Sequence, residues 1–215
     1  MLRAIHRARI RLRARKTARH AANTDGTVAV EFALLMPIMI ALFFGVVESS
    51  MALLCRADVS LMASTAGDLI AQANTASKAD ISNVYSAAGT VLYPYYDSSQ
   101  TDPLKPSSKK PTIRITSVVD DGSGAVTGDH LSGKVAWICT QNGNGTLPAA
   151  KAIGDTYTLP QPLMTLNGSI VIAEIAYNYS SPNTKVITGD IPFTNNFYAK
   201  PRRVAQIPAP ADGCP

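Results

Sequence analysis

The chain has 215 residues, 46% of them apolar and 16% charged, which excludes a fully disordered polymer and leaves room for one modest domain with an appendage. Its formal net charge of +5 is unevenly spread. Residues 1–25 hold Arg3, Arg7, Arg9, Arg11, Arg13, Arg15, Lys16 and Arg19 against the single acid Asp25, so the rest of the chain, with twelve cations and fourteen acids, is close to neutral.

A basic arm of this kind either binds nucleic acid or holds the cytoplasmic side of a membrane segment. The next stretch favours the second. Phe32 to Val47 carries no charge, and Phe32 to about Leu53 reaches the roughly 20 helical residues that a bilayer core needs. Eight cations precede this span, and only Arg56 and Lys78 fall in the thirty residues after it, so the positive-inside rule places residues 1–25 in the cytoplasm and the rest outside. The arm lacks interleaved aromatics and precedes a span, so no nucleic-acid partner is expected.

Two processing schemes compete. A secretory signal peptide would be cut near the small residues Ser50-Met51-Ala52 and would release a soluble protein. The alternative cut falls before the apolar run, at Gly26. There Gly26-Thr27-Val28-Ala29-Val30-Glu31-Phe32 has the form of a prepilin processing site: a glycine, small or apolar residues, a carboxylate at the fifth position of the new chain, then the apolar run. This second cut removes the arginines and leaves the helix attached.

Here the chain resembles the TadE-like (TadE/TadG) pseudopilins of the tight-adherence branch of type IV pili. The resemblance is carried by Val30-Glu31-Phe32-Ala33-Leu34-Leu35-Met36-Pro37, by Gly45-Val46-Val47-Glu48, and by a helical continuation through Asp68-Leu69-Ile70-Ala71-Gln72. Weaker echoes lie in Ala173-Glu174-Ile175-Ala176-Tyr177-Asn178-Tyr179 and in Phe197-Tyr198-Ala199-Lys200-Pro201-Arg202-Arg203. The resemblance implies an α+β, pilin-like fold, in which a long N-terminal transmembrane and amphipathic helix packs on a small, mainly antiparallel β-sheet. It implies a non-enzymatic minor pseudopilin in the inner membrane, with its N-terminus cytoplasmic and its C-terminal domain periplasmic. The partners it implies are a prepilin peptidase, other pilins and pseudopilins, the inner-membrane pilus assembly platform and the lipid bilayer.

Cleavage between Gly26 and Thr27 would create an ammonium at the positive end of a helix dipole, an unfavourable place for it. Glu31 lies four residues on, one turn along the same face, where it could neutralise that ammonium within its own chain. The family resemblance offers a second pairing, with the amine of a neighbouring subunit; a third reading leaves Glu31 facing water at the interface. Phe32 opens the apolar run. Pro37 removes one amide and frees the Ala33 carbonyl, which is expected to bend the helix in a way that neighbouring helices can accommodate. Glu48 is expected to snorkel to the outer interface rather than to be buried.

Beyond the span, Met51, Cys55, Val59, Met62, Ala66, Leu69 and Ala73 form a helical stripe opposite Arg56, Ser60, Ser64, Asp68 and Gln72. The expected organisation is a leader over 1–26, a membrane half of the helix over 27–53, its amphipathic continuation over 54–79, and an outer α+β domain over 80–215. In that domain Asp80 is expected to cap a short helix reaching Tyr93, followed by a Pro-rich loop around Pro103, Pro106 and Pro111. Ile113 and Ile115, then Val135, Trp137 and Cys139, then Val171 through Tyr179 alternate as three strands, with a hairpin signal at Asp121-Gly122 and a turn at Asn142–Gly145.

Cys139 and Cys214 both fall on the outer side, where a disulfide persists; paired, they would pin the tail Ile207–Pro215 onto the second strand. Cys55 lies near the outer membrane surface. His130 stands alone beside Asp129, and neither a metal-ligand cluster nor a nucleotide-binding loop accompanies it, so no metal, no cofactor and no catalytic residue are expected. The competing reading is an extracytoplasmic binding domain, anchored by one span or secreted, and unrelated to pili.

Overall fold

The computed structural model describes residues 25–96, 110–122, 131–160, 162–181 and 189–215. His130 and most of the expected Pro-rich loop lie outside these. The chain divides into two compact units, 1–47 and 48–215. In the first, the described residues belong to helix α1, Asp25–Ala71, which also supplies the opening segment of the second.

The 48–215 unit is α+β. After α1 come helix α2 (Lys78–Val91) and strands β1 (Thr112–Val119), β2 (Ser132–Gln141), β3 (Thr156–Thr158), β4 (Ser169–Ser180) and β5 (Asp190–Ala199). They form one antiparallel sheet in the order β3-β2-β1-β4-β5. Central β1 sets Ile115 opposite Cys139 on one side and Ala173 on the other. The alternation read from sequence gives one core face: Ile113, Ile115, Trp137, Cys139, Ala173, Ile175, Tyr177 and Tyr179 are buried against the α1 segment and α2. The opposite face closes at one end with Val118, Leu159, Met164, Ile170 and Ile172.

Several boundaries differ from expectation, each for a local reason. Helix α1 ends at Ala71, short of the expected continuation to 79, and its last carbonyl accepts the Arg202 N–H at 2.8 Å. Helix α2 is capped by Ser77. Asp80 sits at the third helical position, where it receives the Ser77 N–H in a closed capping box, because a hydroxyl reaches the free N–H groups while the acid reaches back. Asp121-Gly122 does not form a two-residue hairpin: β1 and β2 are joined by residues 120–131, and Gly122, at φ +71°, follows an Asp120 side chain that accepts its N–H. The Asn142–Gly145 turn leaves β2 so tightly that a Cβ on Gly143 would stand 2.1 Å from the Lys110 carbonyl oxygen.

The tail is bound at three points. Cys214 is disulfide-bonded to Cys139, the Ile207 carbonyl accepts the Trp137 indole N–H at 2.9 Å, and the Asp212 carboxylate accepts the Lys78 N–H at the start of α2. The first two hold the tail to β2, and the third holds it to the start of α2.

Candidate assembly site on the N-terminal helix

From Phe32 to Val47, α1 carries no charge and is apolar on every side. Val28, Val30, Leu34, Leu42, Phe43 and Val46 are all exposed, Leu34 to 76%, so among the described residues no face of the 26–47 segment is packed into a core. At 1.5 Å per residue the 26–47 segment is about 33 Å long, close to the thickness of a bilayer's hydrocarbon. Among the described residues this helix alone is long and apolar enough to cross a membrane. A helix hydrophobic all round needs a hydrophobic solvent or neighbours supplied from elsewhere.

Gly26 and Thr27 occupy the first turn of α1, where N–H groups lack intrahelical partners, and a Cβ on Gly26 would meet nothing within 4 Å. Glu31 is exposed one turn along from Thr27 and, among the described residues, has no ion-pair partner. Phe32 follows it at 54% exposure. Pro37 lies inside the helix, which continues on both sides of it. The structure therefore groups Gly26, Thr27 and Glu31 within one and a half turns; Cys139 and Cys214 belong to the other unit.

Glu48 overturns an expectation. It is 2% exposed, the first residue of the 48–215 unit, and it lies in a buried set with Ala52 and Cys55 rather than at a solvent-facing interface. It contributes to the raised pKa of the Tyr179 hydroxyl, for which burial is the leading cause and nearby Cys55 the next. The cause is helix phase: the buried stripe runs Glu48, Ala52, Cys55, Val59, Met62, Ala66 and Ile70, so Met51 and Leu69, read as core from spacing alone, are exposed. Burial pushes the Cys55 thiol up to about 12, with Asp58 adding to it.

The same stripe explains the C-terminal echoes. Phe197 of β5 lies over Gly67, where a Cβ would stand 2.5 Å from its Cδ1. Asn195 donates to the Ser60 hydroxyl, and Arg202 pairs with Asp68 at 2.8 Å. Tyr95 donates to the Met51 carbonyl, and Tyr177 in turn donates to the Tyr95 carbonyl. Sequence reasoning left Gly67, Phe197 and Arg202 without roles; the signal was the Phe197–Arg203 segment, whose aromatic and basic residues had no other explanation.

These features define an α+β protein with one N-terminal apolar helix, fitting a single-pass membrane anchor. Residues 26–68 match the family model of TadE-like proteins, and so connect this segment with assembly of the Tad pilus. The match covers both the segment exposed all round and most of the striped one. No curated protein and no solved structure matches the chain.

Proposed function

We propose that this chain is a minor pseudopilin, a structural or priming subunit rather than an enzyme, processed between Gly26 and Thr27 and retained by α1. The observation that carries the reading is the placement of Gly26, Thr27 and Glu31 at the foot of an apolar helix within the TadE-like segment. Cleavage removes the arginine-rich leader and leaves an ammonium on Thr27 one turn from an exposed carboxylate, an arrangement that favours a charge pair where the dielectric is falling. In this reading Glu31 pairs with the new amine of its own chain or of a neighbouring subunit, Phe32 begins the lipid contact, and Pro37 leaves a carbonyl for a neighbour to satisfy. The prepilin peptidase, other pilins and the inner-membrane assembly platform are the partners.

The cation asymmetry supports a cytoplasmic N-terminus and an outer 48–215 unit, and the Cys139–Cys214 disulfide suits an oxidising compartment. Buried Glu48 and Ala52 argue against release by a cut after Ala52, which would strip both from the 48–215 unit. Intact-mass and N-terminal analysis of protein from the native host tests the reading. A chain beginning at Thr27 is expected; one beginning at Leu53, or one keeping its arginines, overturns it.

A further inference from the structure

The sheet face turned away from α1 is apolar at one end, where Val118, Ile170, Ile172 and Met164 close it. At the other end the same face carries Arg114 on β1 directly opposite Glu174 on β4, 5% and 8% exposed. Their Nε–Oε2 distance is 3.1 Å. A buried ion pair adds little stability compared with packed apolar residues of similar volume, so its presence in two central strands is not explained by the core. The space above it is not filled either. Clefts of about 310 and 440 Å³ are both lined by Arg114 and Pro148, and the smaller also by Lys151, Tyr157 and Glu174.

Several donors around the cleft are left over. Of the five guanidinium N–H donors, one on Nη2 donates to the Pro148 carbonyl at 2.6 Å, while Nε, in ion-pair contact with Glu174, is buried and makes no hydrogen bond. Among the described residues Nη1 has no acceptor. Lys151 uses one ammonium proton on the Thr156 carbonyl and keeps two. The side chains of Thr116, Thr158 and Asn196 line the same cleft and make no hydrogen bond to other described residues. Two cations against one acid leave an excess positive charge, surrounded by hydroxyl and amide groups.

We propose that this smaller cleft binds a sugar acid: a small carboxylate held by Arg114 Nη1 and Lys151, whose hydroxyls meet Thr116, Thr158 and Asn196. A carboxylate supplies the acceptors that the guanidinium lacks, and its charge balances the pair of cations. Glu174 holds the Arg114 fork in place from the strand beside it and is a positioning residue. The cleft's volume suits a ligand of monosaccharide size.

The test is calorimetric titration of the full chain in detergent, in a buffer free of carboxylates, with sodium D-glucuronate as probe and D-glucose and N-acetylglycine as comparison arms. Glucuronate is expected to bind, glucose to give no heat, and N-acetylglycine to bind more weakly. Arg114→Lys keeps a charge beside Glu174 but removes the fork, and is expected to weaken glucuronate binding about tenfold. Lys151→Ala, on the exposed rim where folding is not at stake, is expected to weaken it about threefold. The proposal is overturned if glucuronate fails to bind folded wild-type protein, if glucose binds equally well, if N-acetylglycine binds more tightly, or if Lys151→Ala binds unchanged.

Discussion

Residues Gly26–Val47 and Glu48–Ala71 belong to one helix, yet they answer to different solvents. In the first segment leucine, valine and phenylalanine point in every direction and are exposed. In the second, Ala52, Cys55, Val59, Met62, Ala66 and Ile70 make a single buried stripe, while Leu53, Leu54 and Leu61 on other faces are exposed. Helical propensity does not separate them, because both are helical. What differs is whether the chain supplies the apolar partner itself. For the second segment it does, through β4, β5 and the Arg202 turn; the first has no such partner among the described residues.

The sharpest way to break this comparison is to ask how dry the striped segment is. Cys55 is fully buried, and its thiol is raised from an ordinary 9.0 to about 12 by burial. The thiolate is the reactive form, so the folded chain should resist iodoacetamide near pH 8 and take up one label only after denaturation, Cys139 and Cys214 being bonded to each other. The sign of the linked stability follows. A pKa raised by folding contributes stability that is intact below 9.0 and is lost as the pH climbs through about 12. Rapid native labelling read by mass spectrometry would mean that the segment is solvated and the comparison false.

Truncation gives the next largest contrast. Met62 is fully buried, so Met62→Ala should cost about 2–5 kcal/mol in thermal unfolding of the 48–215 unit followed by near-ultraviolet circular dichroism. Leu42→Ala removes a comparable side chain from the exposed segment and should leave that transition in place. Equal losses would show that the two segments share one core. Glycines sharpen the point by changing sign. Gly67→Ala puts a Cβ 2.5 Å from Phe197, and the overpacking cost of about 1–3 kcal/mol should exceed the helix-propensity gain of about 1 kcal/mol. Gly45→Ala meets nothing within 4 Å and should be neutral or favourable in the same melts.

The same contrast separates what the sequence alone makes legible from what it does not. The apolar run, its length and its cationic flank depend on composition, and the core faces of β1, β2 and β4 on a period of two; both survive in the sequence. Phase did not survive. A spacing of three or four fits Met51 or Ala52, and Leu69 or Ile70, equally well, and only the sheet decides between them. Strand β5 was illegible for a related reason. Asp190, Pro192, Asn195 and Asn196 are poor strand formers, tolerated because β5 is an edge strand paired only with β4. Glu48 misled because a lone acid beside a membrane span reads as interfacial; its burial needs Tyr179, far away in sequence, to be visible. The foot of the helix is the opposite case: Gly26, Thr27 and Glu31 are local in sequence, and their one-turn spacing could be read directly.

The smallest expected effect concerns the ion pair that joins the end of the stripe to the turn after β5. Asp68 and Arg202 meet at 2.8 Å, but their side chains are 43% and 61% exposed, so water and salt screen them. Asp68→Asn should lower stability by no more than about 1 kcal/mol, and the difference from wild type should fade as salt is raised. The Arg202 main chain does more than its side chain, since its N–H satisfies the Ala71 carbonyl where α1 ends, and Arg202→Ala keeps that bond. Arg202→Ala should therefore match Asp68→Asn, and the double variant should lose little beyond either single one. A loss several times larger from Arg202→Ala alone would mean that the guanidinium, rather than the buried stripe, fixes where the helix stops on the sheet.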